Sequence, residues 1–124
     1  MPLPGRLLRD IRDLEADHRL EVVEDDSWIY VIVQDVPTSA LFSDSITPIL
    51  IQVPRAYPDA GPDMFFTPTT LTLSTGGDPA SATGRIEAAG RTWRQFSWHH
   101  NRWDGSKENL RSYLTFVRRR FETA

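Results

Sequence analysis

The residues best suited to chemistry lie in one stretch, residues 91–104, which reads RTWRQFSWHHNRWD. It contains the adjacent pair His99 and His100, and Ser97, whose hydroxyl is a candidate nucleophile. Three of the 4 tryptophans of the chain are also here. Tryptophan and histidine combine an apolar body with a polar tip, so a cluster of them is typical of a surface that is partly buried and partly functional.

Nucleophilic catalysis by Ser97 needs a neighbouring base, because a serine hydroxyl is inert at neutral pH until its proton is removed. If this part of the chain is extended, the Ser97 and His99 side chains share one face, and Trp98 and His100 take the other. This spacing permits a serine beside its own general base. On spacing alone a different interpretation is favoured, in which Ser97 packs as a small polar residue and the histidines hydrogen-bond locally.

Metal binding is the other chemistry that histidines suggest. The nearby ligands are His99, His100 and Asp104, and His18 is distant in sequence. Adjacent histidines on a strand point to opposite faces, so they are poorly placed to bind one ion. The sequence has no HExxH motif, no paired cysteines and no glycine-rich phosphate loop. We therefore expect no metal and no cofactor.

The composition excludes several partners and chemistries. The chain has 124 residues, 40% of them hydrophobic, and a formal net charge of -3. This size predicts a single domain over residues 1–124 with a buried core, and the acidic balance predicts neither nucleic acid nor a membrane as partner. The absence of cysteine excludes disulfides and thiolate nucleophiles. With no signal peptide and no membrane-spanning apolar run, we expect a cytoplasmic protein.

Helices are predicted at both ends of the chain. An amphipathic helix is expected over residues 5–18, from the helical spacing of Leu7, Leu8, Ile11, Leu14 and His18. A C-terminal helix is expected to follow Ser106, its candidate N-cap, and to pack on a sheet. Its apolar stripe consists of Leu110, Tyr113, Leu114, Val117 and Phe121. The basic run at 118–120 complements the dipole of that helix.

Between the helices, runs rich in β-branched and aromatic residues predict a meander of strands. They cover residues 20–23, 28–33, 46–53 and 63–67. Pro48 cannot donate to a sheet ladder, so an edge or a bulge is expected at the start of the third strand. Residues 68–90, rich in small and polar types, are predicted to form a long loop that leads to the Trp/His stretch. The predicted fold class is α+β.

This order of elements resembles the ubiquitin-conjugating enzyme fold: an N-terminal helix, a four-stranded antiparallel meander, a long active-site loop and a C-terminal helix. The segment Val53-Pro54-Arg55-Ala56-Tyr57-Pro58, with Pro62 and Phe66, is similar to that fold's Tyr-Pro, Pro and aromatic signature. Trp103 and the helix after it match the tryptophan and helix that follow the family's active site.

A narrower resemblance is to the bacterial branch called family E. It is carried by Pro62-Asp63-Met64-Phe65, by Trp93 with Phe96-Ser97-Trp98-His99, and by Trp103, Gly105, Asn109-Leu110 and Tyr113-Leu114. Members of that branch are associated with ubiquitin-like proteins and adenylating activating enzymes, so the resemblance implies both as partners. Two features of the larger family are missing here, the His-Pro-Asn motif and the catalytic cysteine.

The family pattern puts the nucleophile position at residues 95–97, where Ser97 is the only hydroxyl. The resemblance then implies an acyl transferase with serine in place of cysteine. Ser97 would accept the C-terminus of a ubiquitin-like protein as an oxyester and pass it to an amine. Because alkoxide is a poorer leaving group than thiolate, we expect assistance from His99 or His100. Two alternatives stay open: a catalytically inactive adaptor of the same fold, and an unrelated small α+β interaction domain.

Overall fold

The computed structural model describes residues 5–62, 64–77, 79, 84–96 and 103–122. The elements in chain order are α1 (Gly5–Glu15), β1 (Leu20–Glu24), β2 (Trp28–Pro37), β3 (Ile46–Pro54), β4 (Phe65–Pro68), β5 (Gly84–Ala88), β6 (Arg91–Phe96) and α2 (Leu110–Phe121). The strands form a 6-stranded antiparallel sheet in the order β1-β2-β3-β4-β6-β5. In the part of the chain described, no helix combines the length and the apolar character needed to cross a membrane.

The first four strands form the predicted antiparallel meander. A bulge interrupts the β2–β3 pairing, because Val33 faces Ile49 but Val36 faces Thr47. Two residues of β2 therefore lie opposite Pro48, which has no amide hydrogen to donate to the ladder. The expected irregularity at Pro48 is confirmed.

The prediction of four strands followed by a long loop over residues 68–90 is wrong, because β5 and β6 form an additional hairpin. Its two turn residues, Ala89 and Gly90, both have positive φ, 53° and 74°. Such values suit the two-residue hairpin turns that follow the twist of the strands. Alanine rarely adopts positive φ, so its presence hid the turn. Strand β5 contains a single large aliphatic residue, Ile86, so its alternation of apolar and polar residues was too weak to predict a strand.

The main core lies between the sheet and the two helices. From α1 it receives Leu7, Ile11 and Leu14, which are spaced so that they share one side of the helix. The predicted extent of this helix was too long, since α1 ends at Glu15, and Leu8 is 39% exposed rather than part of the stripe. Every residue of the predicted α2 stripe is buried, which confirms that the second helix packs on the sheet.

The start of α2 differs from the prediction. Asn109, not Ser106, is the N-cap: its side chain accepts a hydrogen bond from the Ser112 amide, and the Ser112 hydroxyl accepts one from the Asn109 amide. This reciprocal pair satisfies two backbone donors that the first helical turn leaves without partners. Ser106 instead belongs to a turn that precedes the helix and hydrogen-bonds to Asp104.

Arg111 clamps α2 to α1 at the surface. Its guanidinium contacts the carboxylates of Asp13 and Asp17, each at 2.8 Å, and also donates to the Asp13 carbonyl. The hydrogen bonds to the two carboxylates raise the pKa of Arg111. Because the groups are half exposed, solvent screens much of this attraction.

Replacing Arg111→Ala is expected to lower the free energy of unfolding by about 1 kcal/mol at low salt, and by less in about 1 M NaCl, where screening weakens ion pairs. Urea denaturation at the two salt concentrations measures both values. Arg119→Ala, which removes an exposed arginine from the same helix, is the control and should change stability by about 0.5 kcal/mol or less. An equal loss for Arg111→Ala at both salt concentrations would contradict an electrostatic clamp.

Candidate functional site

Strand β6 leads directly to the predicted nucleophile. It lies between β4 and β5, and its last residue, Phe96, pairs with Phe65 across the ladder. The two rings stack with centroids 5.0 Å apart, and Phe96 is completely buried. Gln95, one position earlier, is half-buried and donates from its amide to the Met64 sulfur at 3.1 Å. Strand β6 therefore ends in the core at Phe96, and Ser97 is the next residue in the sequence.

The predicted site residues Ser97, His99 and His100 lie outside the described residues. Their roles as nucleophile and as general bases stay predictions. The structure instead shows what holds the chain on either side of them, which is Phe96 before the segment and Trp103 after it.

Trp103 is anchored on the proline-rich turn that follows β3. Its indole N–H donates to the Pro58 carbonyl at 2.7 Å, and its ring lies 5.5 Å from that of Tyr57. Gly61 allows this approach, because a Cβ on that residue would lie 2.0 Å from the indole ring. The Tyr57–Pro58 peptide bond is cis. The tryptophan and the Tyr-Pro motif, which the sequence singled out separately, thus form one contact.

A buried polar network connects this turn to the first helix. The Tyr57 hydroxyl donates to the Asp10 carboxylate, and both residues are almost completely buried. Burial, and then the hydrogen bond to Asp10, raise the pKa of Tyr57. Arg6 pairs with Asp10 at 3.3 Å and donates to the carbonyl groups of Gly105 and Glu108 at 2.9 and 2.5 Å. We name Arg6, Asp10 and Tyr57 the positioning network.

Sequence reasoning missed this network, because the helical spacing of the N-terminal segment was assigned from other residues and did not include Asp10. A signal was present, however. Residues 7, 10, 11 and 14 follow the spacing of one buried helical face, so a carboxylate at position 10 falls within the stripe. A buried carboxylate requires hydrogen-bonding partners, and Tyr57 and Arg6 supply them.

The turn after Trp103 is rich in local hydrogen bonds. The Asp104 carboxylate accepts from the Ser106 hydroxyl and amide at 2.6 and 2.9 Å, which lowers the pKa of Asp104. The Asp104 amide in turn donates to the Glu108 carboxylate at 2.7 Å. An open depression here is lined by Pro58, Asp59, Trp103, Asp104, Gly105 and Ser106. Among the residues that the structure describes, no group of histidines and carboxylates is arranged to hold a metal ion.

A family model described as Prokaryotic E2 family E matches residues 8–124. The chain belongs to this family. Comparisons with curated proteins and with solved structures gave no match. E2 denotes the ubiquitin-conjugating enzymes, so the resemblance expected from the sequence is confirmed, and an unrelated interaction domain is excluded.

Membership of family E relates the chain to E2-like conjugation of ubiquitin-like proteins. Such proteins generally interact with a ubiquitin-like protein and with an activating enzyme. The two helices and the antiparallel sheet fit an E2-like fold, with six strands instead of the four expected. This E2-like chain contains no cysteine, so the thiol chemistry of conjugating enzymes has no residue to act on within it.

Proposed function

We propose that this family E protein carries the C-terminal acyl group of a ubiquitin-like protein on Ser97, as an oxyester, and transfers it to an amine. The observation that supports the proposal is the pair of anchors at Phe96 and Trp103. They enclose residues 97–102, and Ser97 is the only hydroxyl in that segment. In a family that conjugates through an acyl-enzyme, a hydroxyl beside an anchored strand end is the best substitute for the missing thiol.

The proposed reaction has two acyl-transfer steps. In the first, the Ser97 oxygen attacks the activated C-terminal carbonyl of the ubiquitin-like protein; the new C–O bond forms, and the bond to the activating group breaks. The serine proton passes to His99 or His100 and from there to the departing group. In the second step an amine attacks the ester carbonyl, the C–O bond to Ser97 breaks, and the histidine moves the proton of the amine to the departing oxygen. This proton transfer matters because alkoxide leaves poorly without a proton donor.

The test is covalent adduct formation with ATP, the activating enzyme and the ubiquitin-like protein, followed on a denaturing gel. The wild-type adduct should resist thiol and be cleaved by mild base. Ser97→Ala should abolish it, whereas Ser97→Cys should give an adduct that thiol cleaves. Thr92→Ala, which removes an exposed hydroxyl from β6, is the matched control and should leave the adduct unchanged. A base-labile adduct that persists in Ser97→Ala would refute the assignment of the nucleophile.

The same assay distinguishes the two histidines. The residue that acts as general base is the one whose alanine variant slows adduct formation by about 10²–10⁴-fold. If neither His99→Ala nor His100→Ala slows the reaction, proton transfer by these histidines is excluded.

A second candidate function is a catalytically inactive adaptor that binds the activating enzyme or the ubiquitin-like protein. The observation that favours it is the joint absence of cysteine and of the His-Pro-Asn motif. An adaptor would form a stable complex with one of these partners in a pull-down with purified proteins, and no adduct would appear on the denaturing gel at any enzyme concentration.

A further inference from the structure

We propose that the positioning network, Arg6, Asp10 and Tyr57, couples the first turns of α1 to Trp103, and that the acyl transfer proposed for Ser97 depends on this coupling. The importance of the network for acyl transfer rests on the proposed function. The hold of the network on Trp103 does not depend on the proposed function, because it follows from contacts among described residues.

The hydrogen bond between Tyr57 and Asp10 connects the proline-rich turn to α1. Both side chains are buried, so water cannot replace either partner if the other is lost. The carboxylate accepts the tyrosine hydroxyl on one oxygen and contacts Arg6 on the other. The helix therefore fixes the outer end of the Tyr57 ring, and a buried hydrogen bond to a charged group is among the stronger ones in proteins.

Tyr57 is in turn connected to Trp103. Tyr57 and Pro58 are adjacent in the chain and contact the same indole, Tyr57 through its ring and Pro58 through its carbonyl. A shift of Tyr57 would therefore disturb both contacts together. Trp103 is the first described residue after Ser97, so it is the nearest anchor on that side of the candidate nucleophile.

Arg6 forms a second connection from the same helix. Arg6 donates to the carbonyl groups of Gly105 and Glu108, in the turn that follows Trp103. Since Arg6 also pairs with Asp10, α1 holds Trp103 through Tyr57 on one side and through this turn on the other. Packing alone does not require three charged or polar side chains at this position, since apolar side chains of similar volume can be buried at a lower cost in free energy.

Exchange of the Trp103 indole N–H with solvent, measured by NMR, tests the hold on Trp103. In Tyr57→Phe, which keeps the ring and removes the hydroxyl, exchange at Trp103 should become faster by about tenfold. The Trp93 indole, buried and bonded to the Ala88 carbonyl at 2.9 Å, is the internal control and should not change. Trp103→Phe assigns the signal. Equal acceleration at both indoles would show a general loss of stability and overturn the proposal, and so would an unchanged rate at Trp103.

Adduct formation tests the coupling to the reaction. Tyr57→Phe should lower kcat by about tenfold and leave KM for the loaded activating enzyme within about twofold, because positioning acts on the acyl transfer and not on the encounter. Arg111→Ala, which removes the ion pair between α2 and α1, should change neither kcat nor KM. An unchanged kcat in Tyr57→Phe would overturn the proposal.

Two further cases have defined outcomes, a Tyr57→Phe variant that does not fold and a wild-type protein that forms no adduct. If Tyr57→Phe does not fold, Asp10→Asn takes its place, since it keeps the shape of the side chain and removes its charge. If the wild-type protein forms no adduct, the proposed function fails, and the exchange measurement alone decides whether the network holds Trp103.

Discussion

Phe121→Ala is expected to lower the free energy of unfolding by about 3–5 kcal/mol, the largest effect of any single substitution considered for this fold. Phe121 is fully buried at the end of α2. Its ring makes edge contacts with Phe42, Phe65 and Phe96, with centroids 5.0, 5.6 and 6.1 Å away. Removal of the ring would leave a cavity where α2, β4 and β6 meet, and small domains have only about 5–15 kcal/mol of stability in total.

Urea denaturation followed by tryptophan fluorescence measures this loss. Phe116→Ala is the matched control, because Phe116 lies on the same helix but is only half-buried against Tyr113. Its cost should be about 1 kcal/mol, in proportion to the smaller area that leaves water. A cost below about 1 kcal/mol for Phe121→Ala would mean that the core closes around the missing ring, contrary to the usual behaviour of buried aromatic sites.

The position of Phe121 also connects stability with the candidate site. The Phe96 ring contacts both Phe65 and Phe121, and Phe96 immediately precedes Ser97 in the sequence. The end of α2 therefore stabilises the strand end from which the predicted nucleophile extends. Substitutions at Phe121 should consequently affect adduct formation as well as folding, whereas those at Phe116 should leave adduct formation unchanged.

Most of the fold could be predicted from hydrophobic periodicity. The apolar stripe of α2 and the four meander strands follow directly from residue type and spacing, since one face of each element is buried. The β5–β6 hairpin could not be predicted in this way. Its turn uses Ala89 at positive φ, and its strand β5 alternates only around Ile86. Pairing with β4 through β6, a contact distant in sequence, stabilises a segment whose local signal is weak.

The candidate site could be predicted only in outline. The resemblance to the conjugating enzymes identified Tyr57 and Trp103, but not that they contact each other. Asp10 and Arg6 became visible as parts of the site only in three dimensions, because their partners Tyr57 and Gly105 lie in other segments of the chain. A local pattern can indicate that a carboxylate is buried, whereas the identity of its partner is a property of the tertiary structure.

Gly105→Ala is expected to lower the free energy of unfolding by about 1–3 kcal/mol and to displace Trp103. A Cβ on Gly105 would lie 2.1 Å from the Pro58 carbonyl oxygen, and that same oxygen accepts the indole hydrogen bond. The obstructing atom belongs to the backbone, so no side chain can rotate to relieve the contact. The φ angle of Gly105 lies outside the positive range, so the glycine is required here for space and not for its backbone conformation.

Two glycine controls separate this effect from the general cost of a methyl group. Gly77→Ala should be nearly neutral, because its Cβ would meet nothing within 4 Å. Gly61→Ala should also displace Trp103, since its Cβ would overlap the indole, but the obstructing atoms there belong to a side chain that can move. We therefore expect Gly61→Ala to accelerate exchange of the Trp103 indole N–H at a smaller cost in stability than Gly105→Ala. If Gly105→Ala left both stability and indole exchange unchanged, the close contact between this turn and Pro58 would not exist, and Trp103 would have to be held by other contacts.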